Sequence, residues 1–182
     1  MSAKRAVFLD RDGTINFDPG YIHKPEDVHL LDAAAAGLRL LRPHFTLIVV
    51  SNQSGISRGL YTHEDVRLVN ERLLELLAAE GAGVDAIYYS PYKTADNMPC
   101  RKPGTGMFLQ AERELGVALA GSWMVGDRST DIEAGCAIGA RTILLPLPPD
   151  APEMNAEPHF RALSLFEAAR IILREEGLPV PE

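Results

Sequence analysis

The sequence predicts an α/β fold, a three-layer Rossmann-like arrangement in which helices cover both faces of a parallel sheet. Two observations predict it. Short apolar runs recur along the chain without the polar–apolar alternation of a sheet that has one wet face. Helix-forming segments lie between these runs, and alternating strands and helices build parallel sheets. With 182 residues, we expect one domain over residues 1–182.

Five apolar runs predict buried strands, because each is continuous and short. These strands span residues 5–10, 47–51, 86–90, 123–127 and 141–145. Apolar residues make up 46% of the chain, which is enough to cover such a sheet with a substantial core.

The segments between and after the runs predict five helices. They span residues 31–42, 62–81, 106–116, 129–140 and 163–177, with a proline-rich loop over 146–158 before the last. Thr62 and Asp65 have the spacing of a capping box, and Gly81 ends that helix. Thr130 and Glu133 have the same spacing and predict a second capping box.

Charge and cysteine content exclude several classes of protein. The formal net charge is −7 and the sequence pI about 5.3, which argues against a nucleic-acid-binding surface. Asp10, Arg11 and Asp12 interrupt the first apolar run too early for a signal peptide, and no run approaches the roughly 20 residues of a membrane span. Cys100 and Cys136 are too few for a disulfide framework. We expect a cytoplasmic protein without nucleic-acid or membrane partners.

Polar side chains stand where the predicted strands end. Asp10 ends the first strand and Ser51 the second, Lys102 follows the third after a loop, and Asp127 ends the fourth. The carboxyl ends of parallel strands form the edge at which α/β proteins bind ligands. The sequence therefore predicts a charged site at one edge of an apolar sheet.

Carboxylates that share such an edge are costly unless a cation lies among them. Hard oxygen ligands suit Mg²⁺, and Asp10, Asp127 and the backbone carbonyl of Asp12 are the candidate ligands. Magnesium in turn indicates a phosphate partner. Ser51 is placed to donate a hydrogen bond to a phosphoryl oxygen, and Lys102 to stabilise its charge.

The acidic pair predicts a division of chemical roles. We interpret Asp10 as the nucleophile that forms an aspartyl-phosphate, and Asp12 as the general acid and base. A lone Asp-x-Asp after a strand also occurs as a turn or cap pair; the ordered Ser51, Lys102 and Asp127 favour the catalytic interpretation. Asp131 has two interpretations, since it either stabilises a helix N-terminus or orients Lys102 or a metal-bound water.

Four motifs together resemble the haloacid dehalogenase superfamily of phosphotransferases. They are "FLDRDGTIN", "VVSNQSGISRG", "CRKPGTGM" and "VGDRSTDIEAG", and the resemblance covers about residues 5–145. Within the superfamily the chain is similar to the histidinol-phosphate phosphatase subfamily, and most to its heptose bisphosphate phosphatases. The resemblance implies a phosphatase with no large cap that removes the C7 phosphate of a heptose 1,7-bisphosphate during synthesis of ADP-heptose for lipopolysaccharide.

The same resemblance implies a set of substrate-binding residues. They are Asp18, Gly20, Tyr21, Ser51, Asn52, Gln53, Ser54, Arg101, Lys102 and Arg128. Arg101 and Arg128 suit the second anion of a bisphosphate, because a guanidinium binds phosphate through two donors. Their alternative interpretation is a solvated pair on the surface.

The chain departs from many relatives in one loop. Those relatives carry a zinc-binding Cys-x-His and Cys-x-Cys before their Arg-Lys-Pro. Here the four positions are Ser90, Tyr92, Met98 and Cys100, so one candidate ligand is left and we expect no zinc.

Three alternatives to the heptose substrate remain. The nearest is a phosphatase for histidinol phosphate or another small phosphoester. From another class, a phospho-accepting signalling module also uses strand-end aspartates, Ser/Thr, Lys and magnesium, but Asp12 favours rapid turnover over a long-lived phosphoprotein. A nucleic-acid end phosphatase shares similar motifs, and the acidic balance argues against it. We expect a monomer.

Overall fold

Six strands form one sheet in the computed structural model, which describes residues 4–148 and 151–180. The strand order is β3-β2-β1-β4-β5-β6, and every neighbouring pair is parallel. The strands are β1 (Arg5–Leu9), β2 (Thr46–Asn52), β3 (Ala86–Ser90), β4 (Ala118–Gly126), β5 (Arg141–Leu144) and β6 (Phe160–Arg161). The predicted parallel sheet is confirmed.

Five helices cover this sheet on both faces. They are α1 (Ala34–Leu41), α2 (His63–Ala79), α3 (Gly106–Leu115), α4 (Ser129–Ala137) and α5 (Leu165–Glu175). Val7 and Leu9 of β1 pack in one apolar cluster with α1, α2 and α5, whereas Ala6 and Phe8 pack in the other with α3 and α4. Successive side chains of a strand point to opposite faces, so one buried strand serves both cores. This confirms the predicted three layers.

Several strand boundaries differ from the prediction, most of them by one residue. β1 ends at Leu9, so Asp10 is the first residue beyond it. β4 begins at Ala118 rather than at residue 123, because it pairs with Arg5 before an irregularity in the register. β6 was not predicted, since two residues are too short to show a pattern.

Helix starts show which capping prediction holds. Thr62 caps α2 as predicted: its Oγ1 accepts from the Asp65 N–H at 3.2 Å, and the Asp65 carboxylate accepts from the Thr62 N–H at 2.7 Å. The capping box predicted from Thr130 and Glu133 is wrong. Arg128 is the cap residue of α4, and the carboxylate of Asp131 accepts its backbone N–H. Asp131 is the third residue of α4, and its other carboxylate oxygen contacts Lys102 at the sheet edge.

Parts of two predictions lie outside the described residues. The proline-rich loop predicted over 146–158 includes residues 149–150, and the domain predicted over 1–182 includes 1–3 and 181–182 at its ends. One domain over the whole chain stays a prediction. Among the described residues, no helix combines the length and the apolar character that crossing a bilayer requires.

Candidate active site

The carboxyl ends of β1, β2 and β4 place three predicted residues side by side. Asp10 follows β1, Ser51 lies near the end of β2 and Asp127 follows β4. β1 lies between the other two strands, where the strand order changes direction, and such switch points open a crevice at the sheet edge. All three residues are buried, with 6%, 1% and 3% of their surface exposed.

Lys102 reaches this edge from the loop between β3 and α3. Its Nζ lies 3.0 Å from Oδ1 of Asp10 and 2.6 Å from Oδ1 of Asp131, and it donates to the carbonyl of Val50 at 2.6 Å. Burial opposes the charge of this ammonium, but the negative charges of Asp10 and Asp131 outweigh burial and raise the pKa of Lys102. Lys102 is therefore a fixed positive charge beside Asp10.

Asp131 combines the two interpretations that the sequence left open. One oxygen pairs with Lys102, and the other accepts the Arg128 N–H at 3.1 Å. It approaches β4 so closely that a Cβ at Gly126 would lie 2.2 Å from its Oδ2. The contact with Lys102 is an ion pair, since Oδ1 of Asp131 accepts no hydrogen bond among the described residues. Asp131 therefore orients the lysine through its charge while its other oxygen caps α4.

The buried carboxylates form a cluster with a chemical preference for a cation. Oxygens of Asp10, Asp127 and Asp131 lie within 4.8 Å of one another, and Oδ1 of Asp127 is buried without a hydrogen-bond partner among the described residues. Burial raises the pKa of Asp10 to about 7 and that of Asp127 to about 8, and the neighbouring negative charges add to both shifts. An all-oxygen donor set with an unpartnered buried oxygen fits Mg²⁺.

Gly13 lets the loop after β1 pass directly over Asp127. Its φ is +80°, and a Cβ at this position would lie 2.1 Å from Oδ2 of Asp127. Any side chain here would enter the acidic cluster, so the glycine after the acidic pair is a requirement of the site.

Asp12 has surroundings unlike those of Asp10. Arg11 binds it through two parallel hydrogen bonds, Nε to Oδ1 and Nη2 to Oδ2, both 2.9 Å. Asn16 donates to Oδ1 and Gln53 to Oδ2, also at 2.9 Å. Burial works against ionisation, but the charge of Arg11 and these hydrogen bonds outweigh it and lower the pKa of Asp12. Asp12 is thus a carboxylate held in one orientation.

The side chains of Asn52 and Gln53 bind other parts of the protein. Asn52 exchanges two hydrogen bonds of 3.0 Å with the backbone of Lys102. Gln53 donates to Ser51 Oγ at 2.8 Å, and its carbonyl oxygen accepts from Tyr61 at 2.8 Å. Both side chains therefore support groups of the site, and the substrate-binding role that the resemblance implied for them stays a prediction.

The remaining predicted residues lie in the loops that follow β1, β2 and β4. Together with Arg101, in the loop after β3, they are called the rim. Arg128 pairs with Asp18 at 3.1 Å, and the other Asp18 oxygen accepts the Gly20 N–H at 2.9 Å. Tyr21 is exposed and has a left-handed backbone with φ of 51°. Ser54 is half-buried in the turn after β2. Among the described residues, the structure pairs none of these groups with Asp10 or Asp127.

Hydrogen bonds hold the loop that carries Arg101. Its Nη1 donates to the Tyr92 carbonyl at 2.9 Å, and Asp96 accepts the Lys93 N–H at 3.0 Å. Burial lowers the pKa of Arg101, and the nearby charge of Arg58 adds to the shift. The guanidinium of Arg101 is therefore half-buried and fixed on one side.

A cavity of about 600 Å³ opens beside the acidic cluster. Gly13, Thr14, Asp18 and Asp127 line the wall nearest the cluster. Asp32, Ser164 and a set of apolar side chains line the rest. The apolar residues come from the loops after β1 and β5 and from the start of α5: Phe17, Leu30, Leu31, Leu145, Pro146, Pro148, Leu163 and Leu165. No local pattern predicts this apolar wall, because it is assembled from three distant segments.

Sequence reasoning also missed the residues behind Asp12. Arg11, Asn70 and Tyr61 belong to its hydrogen-bonded surroundings. One signal was available: an arginine directly after a buried strand requires a partner if it is to be buried. Nothing in the pattern of α2 distinguishes Asn70 from the exposed polar residues of that helix.

Sequence comparisons identify relatives over most of the chain. Residues 99–161 match the HAD-hydrolase-like family model. The chain is 39% identical over 148 residues to a D-glycero-β-D-manno-heptose-1,7-bisphosphate 7-phosphatase of Yersinia pestis, covering 77% of this chain and 79% of the relative. An enzyme of the same name from Escherichia coli K12 is 34% identical over 181 residues, which are 94% of this chain and 95% of that one.

Solved structures show the same relationship. The D,D-heptose 1,7-bisphosphate phosphatase of B. bronchiseptica, complexed with magnesium and phosphate, superposes with a TM-score of 0.82 and 29% identity, covering 94% of this chain and 99% of the other. A putative HAD-like phosphatase from Mesorhizobium loti superposes with a TM-score of 0.80 and 34% identity over 92% of this chain and 86% of the other.

Proposed function

Because this chain belongs to the D-glycero-β-D-manno-heptose-1,7-bisphosphate 7-phosphatase family of the haloacid dehalogenase superfamily, we propose that it hydrolyses the C7 phosphate of that sugar bisphosphate. The product would be a heptose 1-phosphate for ADP-heptose synthesis. The observation that carries the proposal is the buried Lys102–Asp10 pair beside Asp127 at the strand ends. A monomeric, cytoplasmic enzyme without nucleic-acid or membrane partners stays a prediction from the sequence.

The cofactor in this proposal is Mg²⁺. Asp10, Asp127 and the backbone carbonyl of Asp12 would hold it, while Asp131 is engaged with Lys102 and Arg128. When bound, the ion neutralises carboxylate charge and acts as a Lewis acid on the phosphoryl group. The unpartnered oxygen of Asp127 and the magnesium in the B. bronchiseptica enzyme support this choice. No zinc is expected.

Two aspartates perform the proposed chemistry in two steps. Asp12 is ionised in the free protein, so it takes one proton from solvent when the substrate binds. The Asp10 carboxylate attacks phosphorus and forms an aspartyl-phosphate, while the bond to the C7 oxygen breaks and Asp12 gives that oxygen its proton. Asp12, now a carboxylate, takes a proton from the water that attacks the aspartyl-phosphate. Inorganic phosphate leaves, and Asp10 and the proton on Asp12 are restored.

Ser51 and Lys102 hold the transferring group. The Ser51 hydroxyl donates to a phosphoryl oxygen, and the Lys102 ammonium, 3.0 Å from Asp10, stabilises the negative charge that approaches it. Asp131 keeps the ammonium in place through its 2.6 Å contact.

The rim residues bind the part of the substrate that does not react. Arg101 and Arg128 bind the C1 phosphate, and Arg128 exchanges its Asp18 partner for that anion. Asp18, Gly20, Tyr21 and Ser54 line the sugar, while Asn52 and Gln53 support the site from behind.

The test is phosphate release with Mg²⁺ from both anomers of heptose 1,7-bisphosphate and from histidinol phosphate, compared by kcat/KM. We expect a strong preference for the β anomer, since the relatives carry it in their names. Arg101→Ala and Arg128→Ala should weaken turnover of the bisphosphate more than that of histidinol phosphate. Arg113→Ala, on the exposed face of α3, is the matched control. A preference for histidinol phosphate, or equal losses on both substrates, would contradict the proposal.

A further inference from the structure

Arg11 is a charged side chain with no access to solvent. Its exposure is 0%, and it ranks with Trp123 and Phe8 among the largest fully buried side chains. A buried guanidinium is stable only where its donors and its charge are matched. The partners of Arg11 therefore show what it is built to hold.

Those partners fix the plane of one carboxylate. Nε and Nη2 of Arg11 donate to the two oxygens of Asp12 at 2.9 Å each. Two parallel hydrogen bonds between planar groups define the orientation of the carboxylate as well as its distance. A lysine ammonium would not define the orientation in this way. Arg11 thus leaves Asp12 little freedom to rotate.

Helix α2 supplies the anchor on the far side of the guanidinium. Nη1 of Arg11 donates to Oδ1 of Asn70 at 2.8 Å, across 59 positions of sequence. Asn70 lies in the middle of α2, whose Val66, Val69 and Leu73 pack in the core. Because α2 is packed in the core, Asn70 fixes the position of the Arg11 guanidinium.

We propose that Arg11, anchored by Asn70, is a positioning residue that holds the Asp12 carboxyl in line with the leaving oxygen of the substrate. This role rests on the proposed phosphatase function. Gln53, fixed by Tyr61, steadies Asp12 from the other side through its 2.9 Å bond to Oδ2. The backbone N–H of Arg11 donates to Oδ1 of Asp10 at 2.8 Å, but the hydrogen bonds of its guanidinium go to Asp12 and Asn70. Substitution of either side chain therefore acts through Asp12.

A loss of this orientation has a specific kinetic signature. Proton donation matters greatly when an alkyl alcohol leaves, and little when 4-nitrophenolate leaves, because that anion is stable without a proton. The value of kcat/KM reports steps up to the departure of the leaving group. A merely structural defect lowers it for both esters by the same factor.

The experiment compares a matched pair of variants at Asn70. Asn70→Leu keeps the shape and removes the acceptor for Arg11, whereas Asn70→Asp keeps both. Arg11→Lys is the second variant, since it keeps the charge and loses the two parallel bonds. Each is assayed with Mg²⁺ on the heptose bisphosphate and on 4-nitrophenyl phosphate, and its thermal unfolding is recorded.

We expect Asn70→Leu and Arg11→Lys to lower kcat/KM on the sugar ester at least about tenfold more than on the aryl ester, because general acid catalysis contributes on the order of 10²-fold or more. KM for the sugar should change little, and Asn70→Asp should retain the wild-type ratio. If Asn70→Leu and Arg11→Lys lower kcat/KM on both esters by the same factor, so that the ratio of the two values is unchanged, the positioning role is overturned. Wild-type protein inactive on the sugar ester but active on the aryl ester would instead overturn the proposed substrate, and histidinol phosphate, also an alkyl ester, would then replace it in the comparison.

Discussion

Two aspartates separated by a single residue have opposite electrostatic surroundings. Asp12 faces the buried charge of Arg11 and has a lowered pKa. Asp10 shares Lys102 with Asp131 and lies near Asp127, and its pKa is raised. Removing the carboxylate of Asp12 should therefore lower the free energy of unfolding. Removing that of Asp10 should leave it equal or raise it.

Substitution of Asp12 tests this contrast. Asp12→Ala leaves the Arg11 guanidinium buried without its ionic partner, and we expect the free energy of unfolding to fall by about 3–5 kcal/mol. Urea unfolding in magnesium-free buffer measures it. Asp10→Asn is the matched control, because burial and the neighbouring carboxylates disfavour the charge of Asp10, and the variant should leave stability equal or higher. The contrast is refuted if both variants lose the same free energy.

Substitution of Asp10 separates chemistry from folding. Asp10→Asn keeps the shape of the side chain and removes the nucleophile, so kcat should fall by at least about 10³-fold. Thermal unfolding should show an intact fold, since the variant also reduces repulsion within the acidic cluster. Glu112→Gln, on the exposed face of α3, controls for the loss of one charge. Turnover close to wild type in Asp10→Asn would contradict the nucleophile assignment.

Among the described residues, α1 and α5 make the most extensive contact between helices. Gly37 of α1 faces the start of α5, where an added Cβ would lie 2.8 Å from the carbonyl oxygen of Leu165. Backbone cannot move aside as a flexible side chain can. The separation of these two helices is therefore set by the absence of a side chain.

Gly37→Ala should lower the free energy of unfolding by about 1–3 kcal/mol, because overpacking forces the two helices apart. At an ordinary position in a helix interior the same change raises the free energy of unfolding, since alanine stabilises a helix over glycine by about 0.5–1 kcal/mol. Denaturant unfolding distinguishes the two. A stabilised variant would show that the contact between α1 and α5 yields without cost.

A strand or helix can be predicted from sequence when the residues that determine it lie within the element itself. The apolar runs that became β1, β2, β3 and β5 carry their pattern locally, and their carboxyl ends necessarily meet in a parallel sheet. Asp10, Ser51 and Asp127 could therefore be placed together from sequence. The first half of β4 and all of β6 could not, because their extent depends on the neighbour they pair with.

The same reasoning explains which parts of the site sequence missed. The contact between Arg11 and Asn70 depends on how α2 packs on the sheet, and no local pattern contains that angle. The second capping box was misplaced for a similar reason. Thr130 and Glu133 have the right spacing, but Asp131 contacts Lys102, which comes from another part of the chain. Asp131 also caps the Arg128 N–H, and α4 begins at Ser129.

The whole molecule concentrates negative charge at one point of its sheet. β1 lies between β2 and β4, so the central strand and its neighbours all deliver polar groups to the same edge. Lys102 is the buried cation within this cluster, and it faces Asp10 and Asp131. Asp127 is left with one unpartnered oxygen, so the fold carries a local electrostatic cost that a divalent cation would remove.

That cost predicts how stability depends on pH and on magnesium. The pKa values of Asp10 and Asp127 rise from 3.8 to about 7 and about 8 on folding, mainly through burial, so between these limits the folded protein holds protons that the unfolded chain has lost. Without a divalent cation, the free energy of unfolding should therefore fall as pH rises from about 4 to about 8. Asp12 has a lowered pKa, and its contribution is lost only as the pH falls below the usual aspartate range.

Magnesium should reverse this fall, since it replaces the protons on the same carboxylates. Thermal unfolding with chelator and with Mg²⁺, at about pH 5 and about pH 9, measures the effect. We expect the rise in Tm caused by Mg²⁺ to be larger at the higher pH, where protons no longer compete for Asp10 and Asp127. Asp127→Asn should flatten the pH dependence seen with chelator and reduce the magnesium effect. An equal rise in Tm at both pH values would mean that the ion binds elsewhere, and that these two carboxylates are not its ligands.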